Sequence, residues 1–137
     1  MTVIESDKSQ ISQPPAVVFE FLSDVRNYEK LLPQDRISDW TATETDCSFA
    51  IPGMAKINLN LSEKVPVEKI VLQSGEGSSI KFSLSMELTS ATDADTTEGK
   101  IVLSADLNPF LKMMAQGPLN NLINYMVKNL EKVLSTS

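Results

Sequence analysis

The most informative chemical feature of this 137-residue sequence is the complete absence of histidine. Ser-His-Asp triads, Cys-His dyads and histidine-based metal sites all need that side chain, so the sequence excludes them. The single cysteine, Cys47, has no histidine to activate it, and a nucleophilic role is not expected. Any catalysis would have to use carboxylates, tyrosines, lysines or arginines.

Two carboxylates near the start could act as acids if they pointed into an apolar interior. Glu5 and Asp7 share a predicted strand face with Ile11, and burial would raise the pKa of an inward carboxyl group. The alternative is a solvated, frayed strand start. The two tyrosines, Tyr28 and Tyr125, could each offer a hydroxyl group to a ligand, although Tyr125 lies off the main apolar stripe of its helix.

Three further acidic residues, Glu76, Asp93 and Asp95, lie in predicted turns. Their spacing matches no calcium-binding loop, so we interpret them as solvated turn residues. The sequence therefore predicts no metal site, no catalytic residue and no cofactor.

Length and charge exclude several classes of partner. The chain is long enough for one domain, residues 1–137, that buries about two thirds of its unfolded surface. A net charge of −6 and only 12 basic residues, without a cluster, argue against nucleic acid and against an anionic membrane surface. The polar start and the lack of a long apolar run predict a soluble cytoplasmic protein without stable membrane insertion.

The N-terminal third predicts one strand followed by two short helices. The strand covers residues 3–11, and Ser12 is expected to cap a helix that begins at Pro14-Pro15. Asp24 is the expected cap of a second helix over residues 25–32, which Pro33 stops. A charged loop, residues 34–39, follows.

The middle of the chain has the period-two pattern of β-strands. Predicted strands cover residues 40–46, 47–51, 55–62, a segment around 70–72, 80–89 and 101–107. Turns are expected at Pro52-Gly53, at Pro66, at residues 75–78 and at residues 93–95. Short turns between successive strands indicate an antiparallel sheet that is apolar on one face.

Residues 108–134 have the period of a helix that covers this sheet. The apolar stripe consists of Leu119, Leu122, Ile123, Met126, Leu130, Val133 and Leu134, and the polar face of Asn120, Asn121, Asn124, Lys128, Asn129, Glu131 and Lys132. Asn108 and Pro109 suit the helix start. Pro118 cannot donate its N–H, so we expect a short segment over residues 109–116, a kink at Gly117-Pro118, and a long helix over residues 118–134.

These elements predict an α+β fold, in which a curved antiparallel sheet of about seven strands wraps around a long C-terminal helix. Residues 11–24 follow the pattern apolar–x–x–Pro–x–x–x–Val–Phe–x–x–Leu–x–Asp, and Leu32-Pro33 comes after it. This pattern and the element order resemble the START-like superfamily, the helix-grip proteins of the polyketide cyclase/dehydrase and lipid-transport (SRPBCC) group. The chain lacks the Gly-rich loop of the plant pathogenesis-related branch and the iron–sulfur domain of the oxygenase branch.

The resemblance implies a cavity between sheet and helix that holds a small hydrophobic molecule. The candidate ligand-binding residues are Trp40, Phe49, Leu59, Leu61, Leu72, Phe82, Leu84, Met86, Leu103, Phe110, Met113, Met114, Leu122 and Met126. Apolar periodicity is equally consistent with a filled core. Phe110, Met113 and Met114 are interpreted either as an adaptable cavity wall or as gap-filling core residues. Trp40 is either a pocket wall or a core anchor. Arg36 is either the cation best placed for an acidic ligand group or a solvated loop residue.

Three functions stay open at this point. The first is non-catalytic binding or transport of a lipid, quinone or polyketide-like molecule. The second is a cyclase- or dehydratase-like enzyme, which would need two polar side chains converging inside the cavity. The third is a protein-interaction module with a filled core.

Overall fold

A computed structural model describes residues 2–52, 55–78, 80–90 and 95–135 of the chain. It contains eight β-strands, two α-helices and one 3₁₀ helix. The strands are β1 (Thr2–Glu5), β2 (Ser9–Ile11), β3 (Ser38–Ala42), β4 (Asp46–Ile51), β5 (Ala55–Val65), β6 (Lys69–Ser74), β7 (Phe82–Ser90) and β8 (Thr97–Ala105). The helices are α1 (Pro15–Ser23), the 3₁₀ helix Val25–Leu31, and α2 (Pro109–Ser135).

All strands belong to one antiparallel sheet in the order β1-β8-β7-β6-β5-β4-β3, with β2 beside β1 on strand β8. The predicted α+β helix-grip architecture is confirmed: the two short helices follow the first strands and α2 packs against the sheet. In the described part of the chain no helix is long and apolar enough to cross a bilayer. Gly53, Asp93 and Ala94, at which two turns were predicted, lie outside the described residues.

The predicted first strand is two strands, because one extra residue interrupts its pairing with β8. Glu5 pairs with Val102 and Ser9 pairs with Gly99. The chain therefore advances by four residues between these pairs, whereas its partner strand β8 advances by only three. The extra residue reverses the side-chain alternation. Ile4 and Ile11 are both buried as a result.

The same shift rules out the inward carboxylate and agrees with the solvated alternative. Glu5 is exposed, and its carboxylate accepts a hydrogen bond from Lys100 at 2.8 Å. This hydrogen bond holds the pKa of Glu5 below its usual value. Asp7 is also exposed, so neither carboxylate can act as a buried acid.

The short helices agree with the prediction except at the first cap. Pro14 occupies the N-cap position of α1 and no side chain caps this helix, so the expected cap at Ser12 is wrong. At the 3₁₀ helix, the Asp24 carboxylate accepts the Arg26 N–H at 3.0 Å, as expected for a capping aspartate. Leu32 ends the helix ahead of Pro33.

The boundary between β3 and β4 differs from the prediction. Residues 40–46 were expected to be one strand, whereas β3 ends at Ala42 and a tight turn follows. In this turn Thr43 N–H donates to the Asp46 carbonyl at 2.8 Å, and Thr43 Oγ1 accepts from Asp46 N–H at 3.2 Å. A side chain that bonds to nearby backbone competes with strand pairing, which explains the earlier break.

Helix α2 runs without interruption through Gly117 and Pro118, so the expected division into two segments is wrong. The missing Pro118 N–H leaves the carbonyl group of Met114 without its usual helical donor. Met114 lies on an exposed part of the helix, where water can solvate a carbonyl group. The proline is therefore compatible with one continuous helix.

The buried stripe of α2 extends further than predicted. The buried residues of the helix are Ala115, Leu119, Ile123, Met126, Val127, Leu130 and Leu134. Leu122 and Val133, which were also predicted for the stripe, are half-buried. These side chains belong to the same apolar core as the inward residues of the sheet, among them Phe49, Ile57, Leu72, Met86 and Leu103.

Several residues of the predicted polar face attach α2 to the rest of the protein. Asn124 Oδ1 accepts the backbone N–H of Asp7 at 2.7 Å, and Glu131 accepts the Ser9 hydroxyl at 3.1 Å. Asn129 donates its side-chain amide to the Leu31 carbonyl at 3.3 Å. These bonds hold the helix against the β1–β2 edge and against the 3₁₀ helix.

Candidate ligand-binding site

The space between the sheet and α2 is almost filled. Its volume is about 20 Å³, which is room for roughly one water molecule. Its lining is apolar apart from one tyrosine and comprises Tyr28, Leu32, Phe49, Ile57, Leu59, Phe82, Leu84, Leu103, Leu119, Leu122, Ile123 and Met126. We call this the interior space. The resemblance implied a ligand cavity here, but ligand cavities usually measure several hundred Å³.

Seven of the fourteen candidate ligand-binding residues line the interior space: Phe49, Leu59, Phe82, Leu84, Leu103, Leu122 and Met126. Leu72 and Met86 are fully buried in the core but do not border this space. Leu61 is half-buried, because the pairing of β5 with β6 shifts between Leu61 and Glu63. The remaining candidates lie on β3 and at the start of α2.

Trp40, on the edge strand β3, is half-buried and packs against Phe49. The two ring centroids are 6.0 Å apart and the ring planes are inclined by 30°. Such tilted contacts stabilise aromatic pairs beyond the area they bury. Trp40 therefore supports a residue of the interior lining without touching the interior space itself.

The expected wall at the start of α2 faces solvent. The exposed fractions of Phe110, Met113 and Met114 are 69%, 87% and 61%, and none of the three lines either candidate space. Each residue turns a helix by about 100°, so Met114 and Met113 lie about 100° and 200° away from the buried Ala115. Their assignment to a cavity wall is wrong for this conformation, because the buried stripe begins at Ala115.

A cleft of about 250 Å³ opens at the surface beside the middle of α2. Its lining residues are Pro33, Arg36, Ile37, Ile51, Pro118, Asn121, Leu122 and Tyr125. We call it the α2 cleft. One wall comes from the helix, the other from the segment that follows the 3₁₀ helix, and Ile51 is contributed by the end of β4. Five of the eight lining residues are apolar.

The helical wall of the cleft follows from sequence spacing. Pro118, Asn121, Leu122 and Tyr125 stand at i, i+3, i+4 and i+7, so they share one face of α2 next to its buried stripe. Leu122 borders both the cleft and the interior space. The half-buried side chain of Leu122 is thus common to the walls of the surface cleft and of the apolar interior.

The ionisable groups near the interior do not form a catalytic pair. The buried Tyr28 hydroxyl donates to the Leu22 carbonyl at 2.8 Å, and burial raises the pKa of Tyr28 well above its usual value. Burial also raises the pKa of the Cys47 thiol to about 12, with the charge of Asp46 as a second cause. Both groups stay protonated at neutral pH. Among the residues lining the cleft in the described part of the chain, Arg36 is the only charged one.

A second, more open depression of about 470 Å³ lies at one end of β6, β7 and β8. Its lining is largely polar: Gln73, Ser74, Gly75, Glu76, Lys81, Phe82, Ser83, Ser104 and Asp106. Glu76, which was interpreted as a solvated turn residue, is exposed in this depression. The α2 cleft is the better candidate because it combines an apolar lining with direct contact to the core.

Of the cleft residues, Arg36, Leu122 and Tyr125 were considered in the sequence analysis as possible ligand contacts. The spacing from Pro118 to Tyr125 could also have identified Asn121. Pro33, Ile37 and Ile51 come from separate segments, and only the tertiary structure brings them to the helix.

No protein-family profile matches this sequence, and no curated protein matches it. Solved structures do match over nearly the whole chain. The protein XoxI from Bacillus cereus has a TM-score of 0.77 at 12% identity, covering 98% of this chain and 96% of XoxI. A START superfamily protein from Mycobacterium smegmatis has a TM-score of 0.68 at 12% identity, with coverages of 98% and 97%.

A third similar structure is norcoclaurine synthase from Thalictrum flavum, solved in complex with dopamine and hydroxybenzaldehyde. Its TM-score is 0.69 at 14% identity, covering 96% of this chain and 85% of that protein. At such identities the similarity concerns the fold and not the activity. This chain therefore shares its helix-grip fold with these solved structures.

Proposed function

We propose that this protein binds a small, mainly hydrophobic molecule in the α2 cleft and does not transform it chemically. The observation that carries the proposal is the position of Leu122, which borders the cleft on one side and the interior space on the other. An apolar ligand that enters the cleft would contact Ile37, Ile51 and Leu122 first. Burial of this apolar surface would supply the main driving force.

A ligand larger than the cleft would reach the interior space if Leu122 moved aside. The candidate residues Phe49, Leu59, Phe82, Leu84, Leu103 and Met126 would then surround its apolar end. Met126 suits this role because an unbranched thioether side chain can adopt several shapes. Lipids, quinones and polyketide-like molecules are the ligand classes that fit such a site.

The fold comparison supports binding, and the chemistry of the site supports the absence of catalysis. START-like proteins generally bind hydrophobic ligands, and the norcoclaurine synthase structure contains two small aromatic molecules. In the described residues the interior lining holds one ionisable side chain, Tyr28, and its hydroxyl is already bonded to a backbone carbonyl. A cyclase or dehydratase would need a second polar group within hydrogen-bond reach.

The filled interior also favours a second candidate function, a protein-interaction module. An interior space of about 20 Å³ holds no ligand by itself, and the start of α2 exposes Phe110, Met113 and Met114. Exposed apolar patches commonly mark interaction surfaces. In this alternative the α2 cleft would stay empty and the surface would carry the function.

Calorimetric titration with neutral apolar probes separates the two functions. We would use 1-octanol, 2-naphthol and menadione, together with native mass spectrometry of the purified protein. The test variant is Leu122→Trp, whose indole would fill the cleft. Leu122 is half-buried beside open space, so the free energy of unfolding should change by less than about 1.5 kcal/mol.

The matched control is Leu111→Trp, the same exchange at an exposed position of the same helix that lines no space. We expect wild type and Leu111→Trp to bind at least one probe equally well, and Leu122→Trp to bind it at least tenfold more weakly. If no probe binds to the wild type and no small molecule is carried through purification, the binding function is wrong. Equal binding by Leu122→Trp would remove the α2 cleft as the site.

A further inference from the structure

We propose that the natural ligand of the α2 cleft is an amphipathic anion, whose carboxylate or phosphate group binds to Arg36. This inference rests on the proposed function and specifies its ligand. Three observations carry it: the hydrogen-bonded turn that contains Arg36, the absence of an acidic side chain from the cleft lining, and two further hydrogen-bond donors on the opposite wall.

The first observation is that local bonds hold the segment carrying Arg36 against the 3₁₀ helix. The Arg36 N–H donates to the Pro33 carbonyl at 2.8 Å, which closes a turn. The side-chain amide of Gln34 donates to the carbonyl of Leu32 at 3.3 Å and to that of Glu29. Arg36 is therefore presented at the rim of the cleft by an ordered turn.

The second observation is that Arg36 is available for an external anion. The chain has two arginines, and the other, Arg26, is paired with Asp24 at 2.6 Å and lies 3.7 Å from Glu44. Within the described ranges, no carboxylate forms an ion pair with Arg36. The planar guanidinium group can donate two parallel hydrogen bonds to a carboxylate or phosphate.

The charge of the cleft lining and of its helical wall also favours an anion. No lining residue of the cleft is acidic. Residues 107–130, which include the whole helical wall, contain two lysines and no Asp or Glu, although the net charge of the protein is −6. A positive site in an otherwise negative surface attracts anions locally and disfavours cations.

The third observation concerns Asn121 and Tyr125, one helical turn apart on the wall of α2. Their side-chain amide and hydroxyl groups form no hydrogen bonds with other residues in the described parts of the chain. Both side chains are exposed and can donate to an oxygen atom in the cleft. An anionic group between the two walls would therefore find donors on both sides, with its apolar part directed toward Leu122.

Four probes with the same alkyl chain test this inference: octanoate, octyl phosphate, octanamide and octylammonium. Calorimetric titration at pH 7.5 and low ionic strength would give their dissociation constants. We expect octanoate or octyl phosphate to bind at least fivefold more tightly than octanamide, and octylammonium to bind most weakly. The preference between the two anions distinguishes a carboxylate ligand from a phosphate ligand. Added salt should reduce the anion preference.

The test variant is Arg36→Gln, and the matched control is Arg26→Gln, which removes the same charge from an arginine outside the cleft. In Arg36→Gln, the dissociation constants of octanoate, octyl phosphate and octanamide should lie within about twofold of one another. The dissociation constant of octanamide should stay at its wild-type value. Arg26→Gln should retain the anion preference. If octanamide binds as tightly as both anions to the wild type, or if Arg36→Gln keeps the preference, the inference is wrong while the proposed binding function stands. Absence of binding by all four probes would overturn the inference, and it would overturn the proposed function as well if 1-octanol, 2-naphthol and menadione also fail to bind and no small molecule is carried through purification.

Discussion

The ring of Phe49 connects the only tryptophan, Trp40, to the interior space, because its centroid lies 6.0 Å from that of the indole while its side chain lines the space. The protein therefore contains an internal reporter of what happens between the sheet and α2. A molecule bound only in the α2 cleft contacts neither ring. A molecule that enters the interior must displace side chains of its lining, to which Phe49 belongs, since only about 20 Å³ is free.

The first prediction uses this reporter. We expect saturation with 1-octanol to change the emission maximum or intensity of Trp40, because its alkyl chain should pass Leu122 and displace the ring of Phe49. Tryptophan fluorescence during titration measures the effect, and 1-octanol does not absorb at the excitation wavelength. Ethanol at the same concentration should leave the spectrum unchanged. Calorimetric binding without a change in emission would mean that the ligand stays in the cleft.

The second prediction concerns the filled core. Met126 is 1% exposed and borders the interior space, so an indole at this position would overpack the core. We expect Met126→Trp to lower the free energy of unfolding by about 1–3 kcal/mol. Urea denaturation followed by circular dichroism measures the change. Tyr125→Trp, at a neighbouring exposed position, should change stability by less than about 0.5 kcal/mol. Full stability of Met126→Trp would indicate a larger internal cavity than the structure contains.

The third prediction concerns Gly117, which lies inside α2 directly before Pro118. Apart from its chain neighbours and the adjacent helix backbone, a Cβ atom at this position would meet no other atom within 4 Å, and its φ angle is not positive. Gly117→Ala should raise the free energy of unfolding by at most about 0.5–1 kcal/mol, because alanine loses less backbone entropy in a helix, while contact of its Cβ with the Pro118 ring offsets part of this gain. Thermal or urea denaturation measures the gain. A loss of stability would show that this segment needs a conformation that only glycine tolerates.

The fourth prediction is a loss of stability at alkaline pH that arises at Cys47. Burial raises the pKa of this thiol to about 12, whereas an unfolded cysteine titrates near 8.5. The folded state thus retains a proton that the unfolded chain releases. The contribution of the protonated thiol to the free energy of unfolding is therefore complete below about pH 8. It is lost as the pH rises toward 12, with a slope of up to roughly 1.4 kcal/mol per pH unit.

Urea denaturation at a series of pH values between 8 and about 10 measures this slope before tyrosines and lysines titrate strongly. Cys47→Ala should be less stable than the wild type at pH 8, because a buried side chain is shortened, but its stability should fall less steeply with pH. If the free energy of unfolding falls equally steeply with pH in both proteins, the alkaline sensitivity arises from groups other than Cys47.

Side-chain periodicity, together with the turn residues, predicted the types of the main elements and their order along the chain. The alternation along β7 and β8 and the stripe from Leu119 to Leu134 reflect a geometric requirement: strands and helices bury one face with fixed periods of 2 and 3.6 residues. The cap at Asp24 was predictable because it is local: a capping carboxylate bonds to a backbone N–H only two or three residues away.

Features that depend on pairing or packing between distant segments were not predictable. The extra residue between β1 and β2, which turns Glu5 and Asp7 outward, is visible only in the pairing with β8. Helix periodicity also could not show that α2 is buried from Ala115 onward, which leaves Met113 and Met114 in solvent. The position of the start of the buried stripe depends on what packs against the helix.

The candidate site shows the same division. Spacing on α2 places Asn121, Leu122 and Tyr125 on one face, and the sequence determines that relation by itself. Whether the interior behind Leu122 is open or filled depends on how side-chain volumes from six or more segments fit together, and no local pattern encodes that fit. Likewise, only the tertiary structure places Arg36 and Ile51 opposite the helix and creates a cleft between them.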